Sequence, residues 1–218
     1  MYELKDIKVV HLEVTQNCQA ACPMCDRNCN GEGINPHINL DELSLKDCKD
    51  IFNTSFIKQL DTMYMCGNLG DPIIARDTLE IFKYFRKHNP NMWLNMNTNA
   101  GARNNIWWQE LADIFGSNGS VIFSVDGLED TNHIYRQGVS WKAVERSMDA
   151  FIEAGGRARW DFLIFEHNQH QVEEAKSLSQ QKGFETFTAK KTGRFIKSKG
   201  IPKDNHKFGD KFLNKPDP

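Results

Sequence analysis

The sequence predicts an α/β chain folded as an open, partial (β/α)6 TIM-like barrel, with parallel strands inside and helices outside. Three observations carry that expectation. Short β-branched, apolar runs alternate about six times with longer helical patterns, as in a parallel sheet with helical crossovers. The polar motifs fall just after the expected strands, where barrel enzymes carry their chemistry. A doubly wound sheet fits the same alternation, yet no Gly-x-Gly-x-x-Gly follows the first strand. Six units are fewer than the eight of a closed barrel, so one side is expected to stand open as the substrate's door.

In chain order, the first strand is expected over residues 8–14, a β-branched run that leads into a cysteine-rich loop. A helix over 41–56 follows, then a strand over 62–66 whose Met63 and Met65 read as core. Next come a helix over 77–87 and a strand over 92–97, with Met92 and Met96 again core. The helix over 106–115 opens on Trp107-Trp108, of which one ring should pack inward. The strand over 121–125 precedes a helix over 141–154 that Ser140 can cap and Gly155-Gly156 stops. After the strand over 159–165, Asn168 and Gln171 form a capping-box variant for a helix over 170–182. A last strand is expected over 185–188.

At 218 residues the chain suits one large domain, or a domain with a tail, and can bury a real core. Hydrophobic residues at 39% and charged residues at 26% are ordinary for a globular protein, and no apolar run is long enough to span a membrane. The start, Met1-Tyr-Glu-Leu-Lys-Asp6, has no apolar core of a signal peptide. All six cysteines fall in the first third, which points to metal in a reducing compartment, and so to the cytoplasm, and away from disulfides. Residues 190–218 hold nine Lys/Arg against three Asp, a net +6 that leaves −8 for the remainder. The expected division is a core over 1–195 and a basic, partly disordered tail over 196–218. The tail lacks the interleaved aromatics of a single-strand binder, so nucleic acid is not an expected partner.

The densest chemical signal is Cys18-Gln-Ala-Ala-Cys22-Pro-Met-Cys25. Three thiolates on one tight loop suit a soft metal centre, and three ligands leave one position of a four-iron cluster open for chemistry. Cys29 as a fourth ligand would close the cluster and make an electron carrier. A zinc site would want a second Cys-x2-Cys, which the chain lacks. Glu13 and His11 alternate on the first strand, as a buried base or a hydrogen-bonded structural acid with its partner. Cys66 reads as a core cysteine, or else as a hydrogen-atom donor beside the site.

The Cys18-x3-Cys22-x2-Cys25 loop resembles the signature of the radical S-adenosylmethionine (SAM) superfamily. Cys66-Gly67-Asn68-Leu-Gly70-Asp71-Pro72 resembles that superfamily's Gly-Gly-Glu-Pro segment. Asn97-Thr-Asn99, Ser124-Val-Asp126-Gly127 and the Tyr135-Arg136 pair resemble its polar strand ends. The resemblance implies a [4Fe-4S] cluster held by Cys18, Cys22 and Cys25, with Cys29 outside it and SAM on the fourth iron. It also implies Met24 near the adenine, and Gly67, Asn68, Gly70 and Asp71 at the amino group. Asn97, Asn99, Ser124 and Asp126 would meet the ribose and methionine groups, and Arg136 the carboxylate. Residues 160–168 and 192–195 resemble the branch that often carries a SPASM or twitch extension. Here no cysteine follows Cys66, so residues 196–218 offer no auxiliary-cluster ligand. The expected activity is reductive cleavage of SAM to a 5′-deoxyadenosyl radical and hydrogen abstraction from a substrate. A peptide or protein side chain is the first substrate class, a nucleotide or sugar the alternative, and a non-enzymatic iron-sulfur carrier the rival. A flavodoxin- or ferredoxin-like reductant is the expected partner.

Overall fold

The computed structural model of the chain describes residues 3–28, 33–195, 205–208 and 210–217. Its centre is a six-stranded sheet of β1 (Val9–Leu12), β2 (Thr62–Met65), β3 (Trp93–Thr98), β4 (Gly119–Ser124), β5 (Ala158–Ile164) and β6 (Thr186–Lys191). The strands stand in chain order and every neighbouring pair is parallel, so β1 and β6 are unjoined edges and the barrel is open. Between strands run α1 (Leu45–Ile51), α2 (Thr54–Gln59), α3 (Thr78–His88), α4 (Asn105–Phe115), α5 (Asn132–Tyr135), α6 (Trp141–Glu153) and α7 (Val172–Lys182).

Register divides the sheet into two chemically different faces, because side chains alternate with a period of two. Leu12, Met65, Met96 and Val121 are successive partners in one row, and Thr98, Phe123, Trp160 and Phe187 in another. Apart from Thr98 these rows are apolar, and they are almost wholly buried under the helices. Phe123 meets Trp108 of α4 and Phe151 of α6, with ring centroids 5.7 and 5.9 Å apart. Each such side chain taken out of water contributes about 1.5–3 kcal/mol. The opposite rows, Tyr64–Asn95, Asn97–Ile122–Arg159 and Ser124–Asp161–Thr188, are polar and only partly covered. That face is the concave interior. As expected, Met63, Met65, Met92 and Met96 are core, and Trp108 packs inward while Trp107 stays partly exposed.

Three local expectations need correction. The helix expected over 41–56 is two helices. Ser44 and Asp47 form a capping box that starts α1 late, and Asn53 accepts from Phe56 N–H at 2.9 Å to start α2. Ser140 stands at the start of α6 without a side-chain cap bond. Asn168 does not cap its helix: its carbonyl accepts from Phe165 N–H at 2.7 Å, and its amide donates to the carbonyls of Asp126 and Leu163. Beyond β6, the described part of the basic tail is an antiparallel hairpin, β7 (Asn205–Phe208) with β8 (Lys211–Asn214), whose Leu213 is buried. No helix among the described residues is long and apolar enough to cross a membrane.

Candidate active site

The C-terminal ends of the strands converge on one cavity of about 480 Å³. After β1 come Cys18, Ala20, Cys22, Cys25, Arg27 and Asn28. After β2 come Cys66, Gly67, Asn68, Gly70 and Asp71. Asn97 and Asn99 follow from β3, Ser124 and Asp126 from β4, Asp161 and Leu163 from β5, and residues 190–194 from β6. Every residue expected to bind the cofactors therefore lines this cavity except Met24. Its side chain is buried beside the lining residues. Cys29 lies outside the described residues.

Buried hydrogen bonds stitch the loops together. Asp71 has both oxygens bound by backbone N–H groups, Asn99 at 2.8 Å and Ile73 at 3.2 Å, while its own N–H donates to Asn17 C=O at 2.9 Å. Asn99 in turn accepts from Gln19 Nε2 at 2.6 Å and donates to Cys18 Sγ at 3.5 Å. Gly67 and Gly70 serve this same stitching. A Cβ on Gly67 would lie 1.6 Å from Gly70 O, and one on Gly70 2.0 Å from Thr15 O, so neither loop could close with a larger residue. Glu13 receives Asn68 N–H on both oxygens at 3.0 Å and lies 3.1 Å from His11 Nε2, itself 2.9 Å from Cys66 O. This is the hydrogen-bonded structural acid weighed from the sequence. Cys66 lines the cavity, half-buried, and is not a core thiol.

Asp126 and Arg136, each expected to meet SAM, both line the cavity and form an ion pair with each other. Arg136 Nε donates to Asp126 Oδ2 at 2.6 Å, and Leu163 N–H donates to Oδ1 at 2.6 Å. Burial pushes both Asp71 and Asp126 upward, opposed at Asp71 by the Asn99 and Ile73 N–H groups and at Asp126 by Arg136. Burial works against the Arg136 charge too, but Asp126 outweighs it, and the guanidinium stays protonated. Burial first, and then Asp71, push the Cys18 thiol up to about 12; burial likewise raises Cys22, against the pull of Arg136. The metal-free thiols are therefore protonated at neutral pH, and loading a metal on them releases protons.

The residues fit an open iron-sulfur cluster with an organic ligand beside it. Three thiols share the cavity wall with a loop of backbone carbonyls. The N–H groups of Cys22 and Met24 find no acceptor among the described residues, although both residues are only 7% exposed. Buried donors of this kind are rare in a finished fold and suit the sulfur atoms of a cluster. No three His, Cys, Asp or Glu among the described residues converge on one ion-sized point, which thiolates bound to three separate irons need not do. The side chains of Asn97 and Ser124 line the cavity without a protein hydrogen bond among the described residues, and so remain available to a ligand. Sequence reasoning named neither Arg27 nor Lys190 and Lys191, and it singled out Tyr135, Asp161 and residues 192–194 within motifs without making them site residues. Period-two alternation back from the strand ends signals Asp161, whereas nothing local signals Arg27.

A model of the radical SAM superfamily matches residues 12–178. No curated protein matches. Among solved structures, SuiB of Streptococcus suis bound to S-adenosylmethionine is 15% identical, with a TM-score of 0.68; the match covers 90% of this chain and 43% of that one. Native anSMEcpe with bound AdoMet is 14% identical at a TM-score of 0.67, over 87% of this chain and 52% of that one. Methylornithine synthase (PylB) is 11% identical at 0.61, over 86% and 56%. The chain thus spans about half the length of these structures.

Proposed function

The chain belongs to the radical SAM superfamily, and from that premise we propose that it is the catalytic core of an enzyme that abstracts hydrogen from a peptide or protein side chain. The observation that carries this reading is the convergence of three cysteines and the polar ends of six parallel strands on one cavity in an open barrel. Cys18, Cys22 and Cys25 would hold the [4Fe-4S] cluster, and Gly67, Asn68, Gly70, Asn97, Asn99 and Ser124 would surround SAM. Bound there, cluster and SAM supply one-electron cleavage of the C5′–S bond to methionine and a 5′-deoxyadenosyl radical.

The chain's own residues set the geometry for that chemistry. Asp71 holds the Asn99 backbone and Asn99 holds Cys18, so one chain of hydrogen bonds joins the cysteine loop to the Gly67–Asp71 loop. The Asp126–Arg136 pair puts a guanidinium beside Cys22 and balances the negative charge of a thiolate-bound cluster. The polar inner face of the sheet, open between β1 and β6, is the substrate's approach. A peptide substrate is favoured by two structural relatives, SuiB solved with its precursor peptide SuiA and anSMEcpe solved with the Cp18Cys peptide. An external one-electron donor of the flavodoxin or ferredoxin class completes the scheme. The test is anaerobic reconstitution with iron and sulfide, followed by dithionite and SAM. Free 5′-deoxyadenosine is expected, and is lost in Cys22→Ala; a four-iron preparation that never forms it, with or without candidate peptides, counts against the reading.

A further inference from the structure

The cysteine turn is held from behind by the far end of the chain. Arg194 Nη1 donates to Met24 O at 3.0 Å and reaches Tyr135 Oη at 3.4 Å. His206 Nε2 lies 2.9 Å from Pro23 O, and because a carbonyl only accepts, that nitrogen carries the proton. Two donors from the C-terminal segment thus grip consecutive carbonyls between Cys22 and Cys25.

The hairpin that carries His206 is itself anchored. His206 and Leu213 are cross-strand partners on one face, and both are buried. Glu166 N–H donates to Asn214 O at 3.2 Å, Asp217 N–H to Gln169 Oε1 at 2.7 Å, and Lys191 Nζ to Asp217 O at 3.1 Å. The hairpin is therefore fastened to the loop after β5 and to β6, and holds the cysteine turn from that base.

A trans peptide is planar, with its C=O and N–H pointing to opposite sides, and the described chain has no cis bond. Fixing the Pro23 carbonyl on His206 consequently aims the Met24 N–H away from the hairpin. Fixing the Met24 carbonyl on Arg194 aims the Cys25 N–H, which donates to Cys22 O at 3.1 Å. The Met24 N–H is the buried donor with no acceptor among the described residues.

We propose that Arg194 and His206 are positioning residues for the cluster: by fixing the Met24 and Pro23 carbonyls they point the Met24 N–H at a cluster sulfur and close the turn to water and oxygen. The proposal rests on Cys18, Cys22 and Cys25 being the cluster ligands. An N–H dipole on a sulfur stabilises the more negative, reduced cluster, so its loss lowers the potential, by more than the water then admitted raises it. Loss of the grip should lower the reduction potential and shorten the cluster's life in air.

The test compares the reconstituted full chain with Arg194→Ala, Arg194→Lys, His206→Ala and His206→Gln. Readouts are iron per chain, the midpoint potential by EPR-monitored redox titration, and the bleaching rate of the cluster absorbance in air. The proposal expects unchanged iron, a lower potential and several-fold faster bleaching in both alanine variants, with lysine and glutamine restoring wild-type behaviour. If an alanine variant loses iron, recovery by its donor-retaining partner supports the same conclusion, and failure to recover contradicts it. Intact clusters with unchanged potential and bleaching in both alanine variants would overturn it. A wild-type chain that takes up no iron would overturn the ligand reading first, and this proposal with it.

Discussion

Asp71 and Gly70 show how residues that line a site can also hold its loop closed. Both oxygens of Asp71 are committed to backbone N–H groups, and Gly70 packs against Thr15 O. Gly70→Ala should lower unfolding stability by about 1–3 kcal/mol and reduce iron uptake together, measured by chemical denaturation and iron assay. Asp126 and Arg136 form a buried ion pair. Removing one partner, as in Arg136→Ala, should cost roughly 3–5 kcal/mol, while a simple loss of SAM affinity with normal stability would argue for direct contact. His167 gives a pH prediction. Burial lowers its pKa from 6.5 to about 4, with Glu166 opposing and His133 and His170 adding to the fall; its ring stacks on Phe165. Between those pH values the unfolded chain binds the extra proton, so stability is full above about pH 6.5 and falls as pH drops towards 4. Thermal unfolding across that range should be less pH-dependent in His167→Phe. At this scale the sequence shows which residues cluster but not whom they bond. Asp126 and Arg136 lie ten positions apart, and only the fold pairs their charges at the cavity wall.

Elements were legible where pattern and physics agree. Six apolar, β-branched runs became six parallel strands, because one face of each is buried under helices and the period-two pattern records that burial. The split between α1 and α2 was not, because the apolar pattern runs through Phe52 while Asn53, an N-cap, decides the break. The hairpin of β7 and β8 was missed for a related reason. Its lysine-rich composition describes the solvent side, whereas the inward pair His206 and Leu213 is too short a pattern to mark a strand. At the opposite end of the barrel, Arg86 of α3 donates to the carbonyls of Pro90, Met92, Ile114, Phe115 and Asn118, tying α3, β3 and the end of α4 together. Arg86→Ala should destabilise the fold by about 2–3 kcal/mol and leave iron content per folded chain unchanged, since the cavity lies at the other end of the strands.

For the whole molecule, the open sheet and the site at its strand ends are one design. An incomplete barrel leaves the inner face reachable from the side, while hydrogen bonds of Asp71, Asn99 and Asp126 link the loops after β1 to β4. The three-cysteine loop made the chemistry legible in the sequence because the spacing itself carries it. Arg27, Lys190 and Lys191 reach the cavity only because distant elements meet, and they have no local signature. The central claim is that Cys18, Cys22 and Cys25 hold a four-iron cluster whose fourth iron is free to bind SAM. Its most direct test is the EPR spectrum of the dithionite-reduced, reconstituted chain with and without SAM, in wild type, Cys22→Ala and Cys29→Ala. The account predicts that SAM changes the signal in wild type and in Cys29→Ala, and that Cys22→Ala has no four-iron signal. A signal indifferent to SAM in wild type, or one lost in Cys29→Ala, would contradict it.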